Sequence, residues 1–413
     1  MNLFVWEFKK IFKQRSSLVA LGLAFALCLF FGIYQGTVSL TYRESPDTPR
    51  EYGPALAKKE QALIEPWRGP MTADVIKAAR DQFALGYQPE NLLADGTLEP
   101  QVRSAYIRPI GIMMTNVDTV LSKVGSNYNT YAEYMNAVIS YTDEEIEGFY
   151  EARDAYVENR LREKLDNEQD IQYFLALNEK VETPFYYDWT RGQEYYADTV
   201  GFILTVVGWL LCIAFAPVFA GEYQCGAASV VLCTRKGRGR AAVAKCLAVL
   251  AVTVLWWALC SGAYVGCQVL LLGTRGLNCP VQAGFFVSSF LPMTVWESEL
   301  YALVLALVSC LAAVSVTAFF SARMNSTFPA IVCSLGVVLF LPMLGSFLKI
   351  EAVQKVLALL PLAKDYSVLF NTQTFYLFGR VLWMPVVLLV VLPLYMVVFL
   401  PLAGRMYTRH QVR

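Results

Sequence analysis

The sequence predicts a mainly α-helical, polytopic membrane protein with six transmembrane helices. Hydrophobic residues make up 56% of its 413 residues and charged residues only 16%, and six long apolar stretches carry no charge. A helix of about 20 apolar residues crosses the hydrocarbon core of a bilayer. A Lys or Arg at the bilayer centre costs about 2.5–3.5 kcal/mol, so an uninterrupted charge-free stretch indicates a span. We expect spans at residues 17–36, 199–220, 245–272, 300–322, 326–347 and 381–403.

The amino-terminal part, residues 1–36, predicts an interfacial helix followed by the first transmembrane helix. Residues 2–15 place apolar side chains at helical spacing and lysines elsewhere on the helical wheel, as an amphipathic helix on a membrane surface does. The apolar residues of this face are Phe4, Phe8, Ile11 and Phe12. The following apolar run shows no clear cleavage site, which favours an uncleaved helix over a signal peptide.

Residues 37–197 predict a helix-rich, water-soluble domain between the first two spans. They carry 27 acidic and 16 basic residues, a net charge of −11, whereas the rest of the chain has a net charge of +11. None of the ten cysteines lies in this segment, so disulfides do not hold it together. Thr142 followed by Glu145 is typical of a capping box, and Thr72 is a second candidate helix cap.

The distribution of basic residues predicts the orientation in the membrane. With the amino terminus inside, the cytoplasmic ends of the spans hold 13 basic and two acidic residues, whereas the short outer loops hold five basic and four acidic residues. This satisfies the positive-inside rule. We therefore expect both termini to be cytoplasmic and residues 37–197 to be extracytoplasmic. Residues 198–413 then form a transmembrane domain of five helices, with a cytoplasmic loop at residues 221–244.

One further uncharged stretch, residues 276–296, leaves an ambiguity. Polar residues and two prolines interrupt it, among them Asn278, Pro280 and Pro292. A full span here would place the basic carboxyl terminus on the extracytoplasmic side. We interpret the stretch as a re-entrant or interfacial segment on the outer side.

The sequence lacks the motifs of several enzyme classes. It has no Walker A loop for nucleotide phosphates. Its only histidine, His410, lies in the carboxyl-terminal tail, where we expect it to be solvated, so neither a Ser-His-Asp triad nor an HExxH zinc site can form. We expect no enzymatic activity, cofactor, metal or nucleic-acid partner. The interiors of the predicted spans carry no charged residue. This pattern disfavours an ion-coupled carrier, which usually binds its ion through such residues, although backbone carbonyls can bind sodium.

The cytoplasmic loop carries the most informative pattern. An acidic residue ends one span, a short stretch of small and apolar residues follows, and a basic turn leads into the next span. The residues that define this pattern are Glu222, Gly226, Arg235, Gly237, Arg238, Arg240 and Lys245. Taken alone, the pattern indicates positive-inside topology and a turn.

This loop resembles that of exporter-type ATP-binding-cassette (ABC) transporter permeases. In that family it commonly reads E-x-x-x-G, then about seven residues, S/T-T-K-x-G-R, six residues and A-K. Here Cys233 replaces the usual serine and Arg235 the usual lysine. The resemblance extends to the amphipathic helix at residues 2–15 and to the six predicted transmembrane helices.

The resemblance implies that the loop contains a coupling helix that rests in a groove of a separate ATPase subunit, in a bacterial plasma membrane. Arg238 and Arg240 would pair with carboxylates of that subunit or with anionic lipid headgroups. The family works as a dimer, so a second permease subunit is expected. Gly262 and Gly266 form a G-x-x-x-G that suits a helix–helix interface, either with that second subunit or within the chain.

Two other functions stay open. One is a membrane receptor or assembly protein that presents an extracytoplasmic binding domain. The other is a secondary transporter.

Overall fold

The computed structural model describes residues 3–45, 48–94, 96–122, 128–234, 238–284, 286–347, 350–361 and 366–410. It is 75% helix and 5% strand, which confirms the mainly α-helical class. The helices are α1 (Leu3–Lys13), α2 (Arg15–Tyr34), α3 (Gly53–Ile64), α4 (Ala73–Gly86), α5 (Pro100–Val102), α6 (Gly111–Leu121), α7 (Tyr131–Ser140), α8 (Asp143–Glu147), α9 (Phe149–Lys164), α10 (Glu168–Asn178), α11 (Arg191–Phe215), α12 (Pro217–Gln224), α13 (Ala227–Cys233), α14 (Gly239–Leu272), α15 (Val295–Arg323), α16 (Thr327–Leu335), α17 (Leu341–Phe347), α18 (Glu351–Leu357) and α19 (Met384–Arg409).

The strands form three small antiparallel pairs within the described residues. The pairs are β1 (Thr41–Tyr42) with β2 (Glu51–Tyr52), β3 (Gly69–Pro70) with β4 (Tyr186–Tyr187), and β5 (Thr374–Leu377) with β6 (Arg380–Trp383). The β5–β6 hairpin turns through Phe378 and Gly379, both with positive φ, and β6 leads directly into α19.

Six helical segments in the described part of the chain are long and apolar enough to cross a bilayer, which confirms the predicted number. They are Arg15–Ser39, Arg191–Gln224, Gly239–Leu272, Val295–Arg323, Thr327–Leu344 and Met384–Arg409. Three of them begin five to eight residues before the predicted spans, because the helical backbone continues past the charged residues that end the apolar stretches. Buried charged residues, among them Glu222, Lys245 and Glu299, therefore lie near the ends of these helices, outside the interiors of the predicted spans.

A proline interrupts the second span. α11 ends at Phe215 and α12 begins at Pro217, whose ring cannot donate the backbone hydrogen bond that a continuous helix requires. Ser321 on α15 replaces part of the lost bonding: its hydroxyl donates to Ala216 O at 2.6 Å and accepts from the backbone N–H of Phe219 at 3.0 Å. The break thereby fixes the position at which α12 starts.

The chain forms two compact units. Unit 1 comprises Met1–Gly32, Asp198–Gly266 and Leu300–Arg413, and unit 2 comprises Ile33–Ala197 and Cys267–Glu299. The predicted soluble segment thus makes up most of unit 2, whose core contains Phe83, Met114, Phe149 and Phe174. The predicted helix caps are present: Thr72 accepts from Val75 N–H, and Thr142 with Glu145 forms a capping box at the start of α8.

The described residues from 276 to 294 contain no long helix and none of the six candidate spans, and α15 begins at Val295. Side chains of the soluble segment hold this irregular stretch within unit 2. The Asn116 amide donates to the carbonyl of Gly284 at 2.8 Å, and Arg153, which is 1% exposed, donates from Nε to Val287 O at 3.2 Å and from Nη2 to Ser289 O. The segment is therefore part of the core of unit 2.

Candidate functional site

The loop at residues 221–244 contains a short helix with one buried and one exposed face. Gly226, with a φ of +73°, separates α12 from α13 in a left-handed conformation that favours glycine. On α13, Ala228 and Leu232 are buried four residues apart, whereas Val230 is 71% exposed. The helix is thus anchored on one side and presents an apolar side chain on the other.

The basic turn follows α13. Arg238 Nε donates to the Leu232 carbonyl at 3.2 Å, and Arg240 is exposed in the first turn of α14. The predicted residues Arg235 and Gly237 lie outside the described residues. Arg238 therefore closes the turn against the end of α13, and Arg240 stays accessible.

Lys245 and Glu222, the two ends of the predicted pattern, contact each other directly. Lys245 Nζ lies 2.7 Å from Glu222 Oε1 and 2.9 Å from Glu7 Oε2. The exposed fraction of these side chains is 0% for Lys245, 4% for Glu222 and 5% for Glu7. The loop is therefore closed at its base by a buried ion pair that also includes α1.

Two more residues complete the arrangement. Lys10 Nζ pairs with the same Glu222 oxygen, and the Tyr407 hydroxyl on α19 donates to Glu222 Oε2 at 2.9 Å. We call Glu7, Lys10, Glu222, Lys245 and Tyr407 the Lys245 cluster. It joins α1, α12, α14 and α19 within unit 1.

The charges of the Lys245 cluster balance, with two carboxylates facing two ammonium groups. Buried ions lose much hydration energy, and good ion-pair geometry with further hydrogen bonds offsets part of that loss. Glu222 satisfies this condition because both of its oxygens accept hydrogen bonds. Removing one partner from such a pair typically costs about 3–5 kcal/mol. The cluster therefore favours one arrangement of its four helices.

Sequence reasoning identified Glu222 and Lys245 but missed Glu7, Lys10 and Tyr407. For Glu7 a signal was present: it lies four residues before Ile11, on the apolar face of α1, and these two are the buried residues of that helix. An acidic residue on an apolar face indicates a buried cation or hydrogen-bond donor opposite it. For Tyr407 no sequence signal distinguished it from other residues of the last span.

Aromatic rings surround the cluster. The Phe219 ring centroid lies 5.1 Å from that of Tyr407 and 5.9 Å from Lys245 Nζ. The ring of His410 stacks on Tyr223 with a centroid distance of 3.9 Å, so this histidine has a defined contact instead of being a freely solvated tail residue. These contacts tie the end of α19 to α12.

Gly262 and Gly266 have free space beside them in the described structure. A Cβ atom added at either glycine would meet no described atom within 4 Å beyond its own helix and chain neighbours. The described residues thus give no support to close packing of these glycines within the chain. The face of α14 that carries Gly262 and Gly266 is therefore open.

Another buried carboxylate, that of Glu299, lies in unit 2. Glu299 on α15 is 0% exposed, and its Oε2 accepts from Gln268 Nε2 on α14 at 3.1 Å. Gln268 Nε2 also donates to Gln193 Oε1 on α11 at 2.8 Å. Among the described residues, Glu299 Oε1 has no hydrogen-bond partner and no Lys or Arg forms an ion pair with this carboxylate.

Comparison with protein-family models, with curated proteins and with solved structures finds no match.

Proposed function

We propose that this chain is the membrane-spanning permease subunit of a bacterial ABC exporter. It would lie in the plasma membrane with both termini in the cytoplasm and residues 37–197 outside. A separate ATPase subunit would hydrolyse ATP, and this chain would convert the resulting movement into export of substrate or its extraction from the membrane.

The observation that carries the proposal is the direct Glu222–Lys245 ion pair at 2.7 Å. It joins the two ends of the loop that resembles the ABC permease loop. Because the pair is buried and also holds Glu7, a force on the loop would reach α1, α12 and α14 together.

α13 is the proposed contact with the ATPase. Its buried residues Ala228 and Leu232 fix it to unit 1, and Val230 projects from it. An exposed apolar side chain on a short anchored helix suits insertion into a groove of a partner. Arg240 is accessible for pairing with carboxylates at the edge of that groove.

A second permease subunit is part of this proposal. The open face at Gly262 and Gly266 allows close approach of a helix from another copy or from a related chain. Membrane lipids would cover the remaining apolar surface of the spans.

The experiment compares Val230→Arg with a matched control, Leu85→Arg. Both replace an exposed apolar residue, 71% and 66% exposed, but Leu85 lies on α4 of the soluble segment. We expect Val230→Arg to abolish co-purification of the ATPase recovered with the wild-type chain, and Leu85→Arg to preserve it. Normal recovery and normal stimulation of ATP turnover with Val230→Arg would refute the role of α13.

One observation favours a second candidate, a proton-coupled secondary transporter. Ionisable residues within spans that lack a charge partner are characteristic of proton pathways, and Glu299 has this environment within a candidate span. Transport that collapses with a protonophore, persists under vanadate and is lost in Glu299→Gln would favour this alternative. Transport that vanadate blocks and Glu299→Gln retains would favour the ABC exporter.

A further inference from the structure

Unit 2 contains a cavity of about 360 Å³ that the transport proposal does not use. Its volume falls within the range of about 300–1,000 Å³ found for small-molecule sites. Charged and aromatic residues dominate one part of the lining: Glu60, Arg108, Tyr187, Trp189, Arg191 and Tyr195. Aliphatic side chains form another part, among them Leu63 and Ile112.

The charged part of the cavity wall has a net positive charge. Glu60 Oε1 accepts from Arg108 Nη2 at 3.0 Å and from Arg191 Nη1 at 2.7 Å, and Glu60 Oε2 accepts from Trp189 Nε1 at 2.8 Å. Two guanidinium groups therefore share the Glu60 carboxylate within the lining, and the Glu51 carboxylate lies 4.0 Å from Arg108 Nη1 outside it. This positive site lies in a segment, residues 37–197, whose net charge is −11.

Arg108 has hydrogen-bonding capacity that its neighbours do not use. Its side chain is 9% exposed, and within the described residues its Nε and Nη1 have no hydrogen-bond partner. Its guanidinium lies 3.6 Å from the ring centroid of Tyr42, and Glu51 Oε2 is 4.0 Å from Nη1, too far for a hydrogen bond. Nε and Nη1 are fully buried and do not face the cavity. Nη2 donates one N–H to Glu60 and carries a second N–H, which suits an anionic acceptor in the cavity that Arg108 lines.

We propose that this cavity binds a small amphiphilic anion. The anionic group would lie against Arg108 and Arg191, and the apolar part would contact Leu63, Ile112 and Tyr195. Two sources supply this chemistry, a free carboxylate and an anionic lipid headgroup. The inference does not depend on the transport proposal, because it concerns unit 2 alone.

The test uses the full chain in phosphatidylcholine nanodiscs and three probes that differ in charge. The probes are 4-phenylbutyrate, its neutral amide and the cationic 4-phenylbutylamine, with affinity measured by titration calorimetry. We expect the carboxylate to bind at least about tenfold more tightly than the other two, as a hydrogen bond between charged groups predicts. Equal affinity for the three probes, or no binding of the carboxylate, overturns the proposal.

Three variants assign the binding to the cavity. Arg108→Gln should reduce the affinity for 4-phenylbutyrate to that for the amide. Gly111→Leu should weaken binding without disturbing the ion pairs, because Gly111 lines the cavity and a Cβ there meets no described atom within 4 Å. Arg162→Gln is the control, since Arg162 is exposed, pairs with Glu158 and does not line the cavity.

Unchanged carboxylate affinity in Gly111→Leu overturns the proposal even if Arg108→Gln does not fold. A competition experiment with phosphatidylglycerol identifies the source of the anion. If phosphatidylglycerol added to the nanodisc displaces 4-phenylbutyrate, the cavity takes an anionic headgroup. If it does not, the cavity takes a free carboxylate, and both results support the site.

Discussion

The Lys245 side chain is fully buried and pairs with two carboxylates. Lys245→Met would leave Glu7 and Glu222 buried with only Lys10 as a cation, so we expect a loss of about 3–5 kcal/mol in unfolding free energy. Thermal unfolding of the purified chain in detergent measures this loss. Lys59→Met is the control, because Lys59 is 43% exposed and pairs with a partly exposed glutamate; it should cost under about 1 kcal/mol.

The Lys245 prediction has an internal check. Without Lys245, Glu222 still pairs with Lys10, so Glu7 is the carboxylate left without a cation. Glu7→Gln combined with Lys245→Met removes that charge, so the double variant should be more stable than Lys245→Met alone. A double variant that loses the sum of the two separate effects would show that the residues act independently, contrary to a buried cluster.

Tyr150 provides a pH-dependent prediction at the same scale. Its hydroxyl donates to Met71 O at 2.7 Å and accepts from Phe185 N–H at 2.9 Å, and burial raises its pKa to about 12. The neutral form is thus favoured in the folded state. The stabilisation is complete below the unfolded pKa of about 10 and is lost as the pH rises through about 12.

The measurement compares the wild type with Tyr150→Phe. We expect the wild type to be more stable at neutral pH by about 1–3 kcal/mol, and the difference to shrink between about pH 10 and 12. A difference that stays constant over this range would mean that Tyr150 does not titrate with folding.

At the scale of elements, Arg153 on α9 holds the irregular stretch after Gly284. Its contacts with the carbonyls of Val287 and Ser289 are hydrogen bonds from a charged donor, each worth about 1.5–3 kcal/mol. In Arg153→Met we expect amide hydrogen exchange in residues 286–291 to rise by at least about tenfold. Arg162→Met, which removes an exposed arginine of the same helix, should leave this exchange unchanged.

Elements differ in how well the sequence predicts them. The six spans follow from composition alone, and the Thr142 capping box is a local pattern of four residues. The packing of residues 276–296 could not be predicted, because Asn116 and Arg153, more than 100 residues earlier in the chain, hold this stretch. The site shows the same division: Glu222 and Lys245 belong to one local pattern, whereas Tyr407 reaches Glu222 from the last helix.

At the scale of the whole molecule, the separation of charge predicts the orientation in the membrane. Residues 37–197 have a net charge of −11, the rest +11, and all ten cysteines lie outside this segment. Cys225, two residues before α13, and Cys233, the last residue of α13, are exposed. Because basic segments stay on the cytoplasmic side, a membrane-impermeant maleimide applied to intact cells should not label these two cysteines.

The matched measurement introduces Glu163→Cys on the exposed surface of α9, which the same reagent should label in intact cells. After the cells are opened, Cys225 and Cys233 should react as well, which shows that they were inaccessible and not unreactive. Labelling of Cys225 in intact cells would place α13 outside, where no ATP-hydrolysing partner could bind it. The buried ion pair would then stabilise the fold alone.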